Sequence, residues 1–481
     1  MDRREKERIT LLVIATAKAM LELLSAEGDI SYYTDSMFAS DFEKEKETIL
    51  KALLKDPVYV AKFSEEYLEK LLQKKMQEII HRLRQQDTPR IRPQRVAREI
   101  ASAIFDELDN YTTRQTIYLP VSGIIVELEE ERLEIGNITF LKMTQERIDE
   151  VIAHMTSSIM ALSNTPEYKQ GFIKVFTEDL QQIFSDPENE IYAVYHVEAE
   201  PIRARDRAVR ECYQVFDVLR YALPMLSDIY PMDFSIPLNV FDGTIAETDE
   251  FTERDRTIPS EPGRFIAFGL RGEVGTNTTR HIVTLRDSPS FSFETDRKQR
   301  FLPLELHSNT IEVLDWAKVF EVSNILKTGE EALTNFERTI LRSIHWFGNA
   351  QTPMPPEYIL LSLMSSIEAF LNPPGGHDGV TPAITEGVAA LGGAQEEGYK
   401  FMKKRMQELY DKRSALSHGD HTEIYERDIS ELRAIAFSII NLMIQRRDKY
   451  ATQRELYERV REMREDMKQN IARSAVSSDP Q

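Results

Sequence analysis

The sequence predicts a mainly α-helical chain with an α+β middle domain and a C-terminal helical bundle. Three observations lead there. Apolar residues recur at three- and four-residue spacing before about residue 110 and again beyond about 309. Between those limits, short β-branched runs separated by turn residues replace that pattern. A hydrophobic content of 41% with 29% charged residues is that of a globular protein, and 481 residues are enough for several cores. The expected domains are residues 1–112 (all-α), 113–308 (α+β, a candidate sensor), 309–450 (helical bundle) and 451–481 (helical extension and disordered tail).

The first helix is expected over 5–27, with Ile9, Leu12, Val13, Thr16, Met20, Leu23 and Leu24 on its buried face and Gly28-Asp29 ending it. A second spans about Ser40 to Leu54, and Pro57 breaks it. Residues 58–86 read as one long helix carrying Tyr59, Phe63, Tyr67, Leu71, Met76, Ile79, Ile80 and Leu83. Pro89 and Pro93 mark a loop, and helix resumes from Val96 to Leu108. Arg82, Arg84, Arg90, Arg92, Arg95 and Arg98 crowd around that loop. Such a cluster suits phosphate, and equally a basic face pairing with an acidic chain.

From Thr116 the runs Thr116 to Gly123, Ile124 to Leu128 and Leu133 to Phe140 are strand and hairpin signals. A helix follows over Gln145 to Asn164, a strand over Ile191 to Ala199, and an amphipathic helix over Arg203 to Leu223 that Pro224 ends. Phe234 to Ile236, Phe265 to Leu270, His281 to Leu285 and Phe291 to Phe293 are further short strands, and the acidic stretch Asp242 to Ser260 is a loop. His196 and His281 lie in strand patterns and read as packed or surface histidines. The arginines from Arg203 to Arg210 read as a solvated helix face.

Helices are expected next over Ile311–Lys327, Glu330–Gly348, Pro355–Leu371, 382–392, Gln395–His418 and 428–450. Asp428 reads as the N-cap of the last, with Glu431 at the capping-box position. Gly387 to Gly393 is glycine-rich, but no Gly-Lys-Ser/Thr follows, so it is no phosphate-binding P-loop. His345 accompanies Trp346 on a packing helix, and His377 lies in a loop. Beyond Tyr450, Leu456, Val460, Met463, Met467 and Ile471 form a narrow apolar stripe. That stripe fits a seam with a second chain or a helix laid back on its own protein. Residues 473–481 read as disordered.

The stretch with most chemistry is Tyr-Asp-Lys-Arg-Ser-Ala-Leu-Ser-His-Gly, Tyr410 to Gly419. Arg413 is a permanent cation whose planar fork suits phosphate, and His418 can exchange a proton near neutral pH. Together they suffice in principle for metal-free RNA cleavage, because the ribose 2′-OH supplies the nucleophile. The preceding residues Phe401, Met402, Met406, Leu409 and Tyr410 have a helical pattern, and Gly419-Asp420 stops it. On an ideal helix side chains five residues apart diverge by about 140°, so a bend at the last turn is expected if His418 is to reach Arg413.

Three patches in order, Ile344 to Ala350, Leu361 to Leu371 and Leu409 to Gly419, resemble the HEPN superfamily, and within it the ApeA-like HEPN domains of bacterial defence proteins. The resemblance runs from about Leu333 to Arg446, and the last patch is the specific one. Many such proteins are metal-independent ribonucleases whose Arg-x4–6-His motifs meet across a dimer. The resemblance therefore implies that Arg413 and His418 are catalytic, that the site is composite in a homodimer or higher homo-oligomer, and that no cofactor is needed. It further implies an RNA substrate, with tRNA the usual suggestion, a phage-derived trigger and a role in anti-phage defence. Members often carry Asn, Asp or His just after the Arg; this chain has Ser414. Ser414 and Tyr410 stand beside the pair as supporting residues. Glu368, facing the bundle, would need a partner, and Arg413 is the obvious one: it either orients Arg413 for phosphate or makes a structural salt bridge. Some HEPN domains only bind, so a non-catalytic module that senses a phage or nucleotide partner is the competing reading.

A net charge of −20 argues against a protein that coats nucleic acid indiscriminately. An RNA site would need a local basic patch, and Lys403, Lys404, Arg405 and Lys412 are the candidates. The same pattern is that of a solvated helix face. The single Cys212 forms no internal disulfide, no Cys/His set has zinc spacing, and no apolar run approaches a membrane span. The short run Leu11 to Ala17 follows acidic residues and reads as a buried helix rather than a signal peptide. A cytoplasmic location is the expectation.

Overall fold

The computed structural model describes residues 3–26, 43–84, 93–111, 114–128, 132–160, 173–174, 177–178, 181, 191–227, 229–233, 264–266, 268–270, 300–329, 332–373, 379–392 and 396–477. The chain is mostly helical with small sheets. It divides into two compact units, Met1–Ile117 with Tyr195–Arg210, and Tyr118–Val194 with Glu211–Gln481. The second unit thus takes in most of the expected middle domain together with the C-terminal bundle. Among the described residues no helix is long and apolar enough to cross a membrane.

In the first unit, α1 (Arg3–Ala26) packs on α2 (Glu43–Leu53), α4 (Glu65–Arg84) and α5 (Pro93–Asp109). Ile9, Val13, Leu53, Phe63, Leu71, Ala97, Ile104 and Leu108 form its core. The long helix expected over 58–86 is two helices, because α3 (Pro57–Lys62) ends where Phe63 becomes extended at φ −127°, ψ 138°. The Ser64 hydroxyl then accepts the Tyr67 N–H at 3.1 Å and caps α4. Ser64-Glu65-Glu66 was the available signal. Of the arginine cluster, Arg90 and Arg92 lie outside the described residues, and Arg95 pairs with Glu99 at 3.0 Å.

The strands are β1 (Arg114–Ser122), β2 (Ile124–Glu127), β3 (Arg132–Ile135), β4 (Ile138–Lys142), β5 (Ile191–Glu198), β6 (Arg264–Ile266), β7 (Gly269–Leu270), β8 (Arg300–Leu302) and β9 (Leu304–His307). One sheet has the order β3-β4-β5-β1-β7, β2 pairs parallel with β9, and β6 pairs parallel with β8. The unit boundary cuts β1 and β5. The β3–β4 turn needs Gly136, whose φ is +60° and whose would-be Cβ stands 2.9 Å from the Leu326 Cβ. The strands expected at Phe234–Ile236, His281–Leu285 and Phe291–Phe293 lie outside the described residues, as does the loop 242–260. Helix α6 (Gln145–Met160) follows β4, and α7 (Pro201–Leu226) follows β5. Pro224 does not end α7 as expected. The helix runs past it, and the Ser227 N–H still reaches the Leu223 carbonyl at 3.0 Å.

The C-terminal array comprises α8 (Ser308–Trp316), α9 (Val319–Lys327), α10 (Asn335–Asn349), α11 (Pro356–Leu371), α12 (Val380–Gly392), α13 (Glu396–Ser417), α14 (Glu426–Gln445) and α15 (Gln453–Ser477). The helix expected over Ile311–Lys327 is broken at Ala317–Lys318, where Lys318 adopts φ +61°. Helix α10 starts later than expected because Thr334 and Glu337 form a capping box. At α14 the cap sits at Tyr425, and Asp428 is not the N-cap but the reciprocal partner, accepting the Tyr425 N–H at 2.9 Å. Every residue of α14 from Asp428 to Ile444 is buried, and the helix packs against α10 and α11.

The apolar stripe of α15 turns toward its own protein. Leu456 and Val460 are buried and the helix packs on α11 and α12. It also runs on to Ser477, into residues expected to be disordered, while 478–481 lie outside the described residues. A carboxylate secures it: Glu386 of α12 meets Lys403 of α13 at 2.7 Å and Arg464 and Lys468 of α15 at 2.8 and 3.0 Å. Burial alone would raise the Glu386 carboxyl, but these three cations outweigh it and hold it at about 2.

Because that value lies below the unfolded one, the stabilisation is present above about pH 4.5 and lost as pH falls toward 2. Glu386→Gln is expected to cost roughly 1–3 kcal/mol at neutral pH and to flatten the acid limb of stability in that window. Urea unfolding followed across pH checks both.

Candidate active site

Helix α13 carries the Arg413/His418 pair. Its buried face is Tyr399, Met402, Met406, Leu409 and Tyr410, turned toward α11 and α12. Phe401, expected on that face, is one residue out of phase and 49% exposed. The helix does not fray at its end. The Asp420 N–H reaches the Ala415 carbonyl at 2.9 Å and the Gly419 N–H reaches Leu416 at 3.1 Å. With Gly419 at φ +81°, this is a Schellman closure. His418 is the capping residue, its N–H 3.1 Å from the Ser414 carbonyl.

Arg413 is half-buried and engaged. Its Nη2 donates to Glu368 Oε2 at 3.0 Å, and its Nε lies 2.9 Å from Oε1, off the line of a hydrogen bond. The guanidinium carbon stands 5.6 Å from the centre of the Tyr410 ring. Burial raises the Glu368 carboxyl above its ordinary 4.5, and attraction to Arg413 offsets only part of that rise. Burial and the neighbouring Glu368 also raise the Tyr410 phenol. Glu368, Tyr410 and Arg413 therefore form one cluster between α11 and α13.

His418 is exposed on another side of the helix. The bend expected at the last turn is absent, since α13 is helical through Ser417. Regular geometry sets the two side chains about 140° apart, and among the described residues no hydrogen bond or ion pair joins them. Ser414 is half-exposed one step from Arg413. Within one chain the site presents a held guanidinium and a separate, exposed imidazole.

The four cations expected to attract RNA are mostly committed elsewhere. Lys403 pairs with Glu386. Arg405 contacts Glu408, Asp428 and Glu431. Lys412 meets Asp428 at 2.6 Å and lies 4.7 Å from the Tyr425 ring centre. Of the four, Lys404 alone is exposed without an ion pair among the described residues.

The structure also assembles a group that the sequence did not reveal. His345 Nδ1 is 2.7 Å from Asp217 Oδ2 of α7, and Nε2 is 3.1 Å from Asn349 Nδ2. The hydrogen bond to Asp217 raises the His345 imidazole above its ordinary 6.5, against burial and the nearby Arg220. Neither His345 nor Trp346 packs inward as expected; Trp346 is 39% exposed. Counting the helical phase from Ile340, Ile344 and Phe347 would have placed Trp346 outside, but nothing local points to Asp217. Among the described residues no three His, Cys, Asp or Glu side chains converge as metal ligands would.

Replacing Glu368 by Ala leaves the half-buried Arg413 without its carboxylate. A loss of roughly 1–3 kcal/mol is expected, with Glu368→Gln recovering part of it; denaturant midpoints at constant slope measure both.

Comparison with protein-family models, with curated proteins and with solved structures finds no match, so the chemistry of this site has to be read from its own geometry.

Proposed function

We propose that the chain is a metal-independent endoribonuclease of the ApeA-like HEPN type. The observation that carries this reading is a guanidinium held by Glu368 and Tyr410 on the same helix as an exposed imidazole at a rigid cap. Arg413 offers fixed positive charge for a phosphorane. His418 is free to exchange a proton with solvent or substrate. Their divergence on a straight helix supports a composite site, in which each His418 works with the Arg413 of a second copy. The 2′-oxygen attacks phosphorus as its proton passes to His418, the bond to the 5′-oxygen breaks, and that oxygen gains a proton from the matching pair. The products carry 2′,3′-cyclic phosphate and 5′-hydroxyl ends. The resemblance adds the biological setting: a cytoplasmic defence effector, cutting RNA such as tRNA after a phage-derived trigger.

A second reading has an observation in its favour. Arg413 is engaged by Glu368, and Lys403, Arg405 and Lys412 are paired with acids of this chain. That suits a non-catalytic binding module.

Total cellular RNA incubated in EDTA with the wild type and with His418→Ala separates the two, with and without phage lysate. The nuclease reading expects wild-type cleavage that leaves 2′,3′-cyclic phosphates and is lost in the variant by a factor of about 100 or more, at unchanged fold and oligomeric state. A substrate with a single 2′-deoxyribose should resist at that position. Intact RNA under all conditions would favour the binding module.

A further inference from the structure

While α13 spends most of its cations on the chain's own carboxylates, α10 keeps one, Arg342, without a carboxylate partner among the described residues. Arg338, Arg342, His345, Trp346 and Asn349 fall within an arc of about 100° on a helix of 3.6 residues per turn. The opposite side of α10 buries Phe336, Ile340, Ile344 and Phe347. Arg338, Arg342, His345 and Trp346 are exposed, and the arc itself carries no Asp or Glu. The Arg342 Nη2 lies 3.4 Å from the Thr339 hydroxyl. Arg338 donates to Asn335 Oδ1 at 3.1 Å.

The aromatic pair on this arc is held in place. Asp217 and Asn349 fix the two nitrogens of the His345 ring. Asp217 reaches it because α10 lies close to α7 at Gly348, where a Cβ would stand 3.0 Å from the Asp217 carbonyl. The rings of His345 and Trp346 are 5.8 Å apart at 59°. An exposed indole beside an exposed arginine is the combination that binds single strands: the ring stacks on a base, and the guanidinium holds a phosphate. In a chain of net charge −20, a basic arc with no Asp or Glu of its own is where a polyanion can approach.

We propose that this outer face of α10 is the docking surface for single-stranded RNA, with Trp346 stacking on a base and Arg342 on a flanking phosphate. The identity of the polynucleotide rests on the ribonuclease reading above; the surface itself rests on α10.

The test is fluorescence anisotropy of a fluorescein-labelled oligouridine RNA in EDTA, with the full chain carrying His418→Ala to prevent turnover. Adding Trp346→Ala is expected to weaken binding about tenfold, and Trp346→Phe to restore most of it. Adding Arg342→Glu is expected to weaken binding similarly and to lower the salt slope by about 1. Thermal unfolding of each variant checks the fold. The proposal is overturned if the parent does not bind, or if both variants bind within about twofold of it. The two readings fail separately. Wild-type cleavage with binding untouched by both variants rejects the surface and keeps the nuclease. Binding that needs Trp346 and Arg342, with all RNA left intact, keeps the surface and rejects the nuclease.

Discussion

Arg405 sits between two carboxylates that would otherwise be untenable. Asp428 and Glu431 lie on the innermost helix, α14, with side chains 4% and 1% exposed. Carboxylates that far from water persist only when paired and hydrogen-bonded. Burial would draw down the Arg405 charge, but its bonds to Asp428, Glu431 and Glu408 outweigh that and raise its pKa. Lys412 completes the arrangement from about two turns further along α13, and Asp428 is held below its ordinary range in consequence. Two cations of α13 are thereby locked to two anions of α14. Such a lock admits one rotation of α13 about its axis, and that rotation turns Tyr410 inward, Arg413 toward Glu368 and His418 to solvent.

The same economy explains how charge is divided over the surface. Where a basic residue is needed to neutralise a buried acid, it cannot also serve a ligand. Lys403, Arg405 and Lys412 are in that position, as are Arg464 and Lys468 around Glu386. Arg342 on the outer arc of α10 has no carboxylate partner among the described residues. His345 differs again: its partner Asp217 also meets Arg220 at 3.3 Å, so that carboxylate is shared between two bases. Basic composition along a helix thus says little about binding until the acids behind it are known.

Much of the architecture was legible in the chain. Apolar periodicity marked the helices of the C-terminal array, Gly419-Asp420 marked the stop of α13, and the switch to β-branched runs at Thr116 marked β1. The failures were local and have local causes. Ser64 caps a new helix in the middle of a continuous apolar stripe, Pro224 is tolerated within the last turn of α7, and Tyr425 rather than Asp428 takes the cap of α14. At Ser64 periodicity hid a local cap, whereas at Pro224 and Asp428 a local signal was taken for a boundary that the helix did not keep.

By itself the sequence determined the mainly helical class, the position of Arg413 and His418 on one helix, and the need of Glu368 for a cationic partner. These follow from spacing and from the cost of burying a charge, both properties of short stretches of chain. Only the tertiary structure decided which cations are free. Whether Lys412 faces solvent or Asp428, whether Trp346 packs or projects, and whether His345 meets Asp217 depend on helices brought together across long separations in the chain. The physical reason is that charge pairing and exposure are properties of two surfaces in contact, whereas a sequence displays one surface at a time.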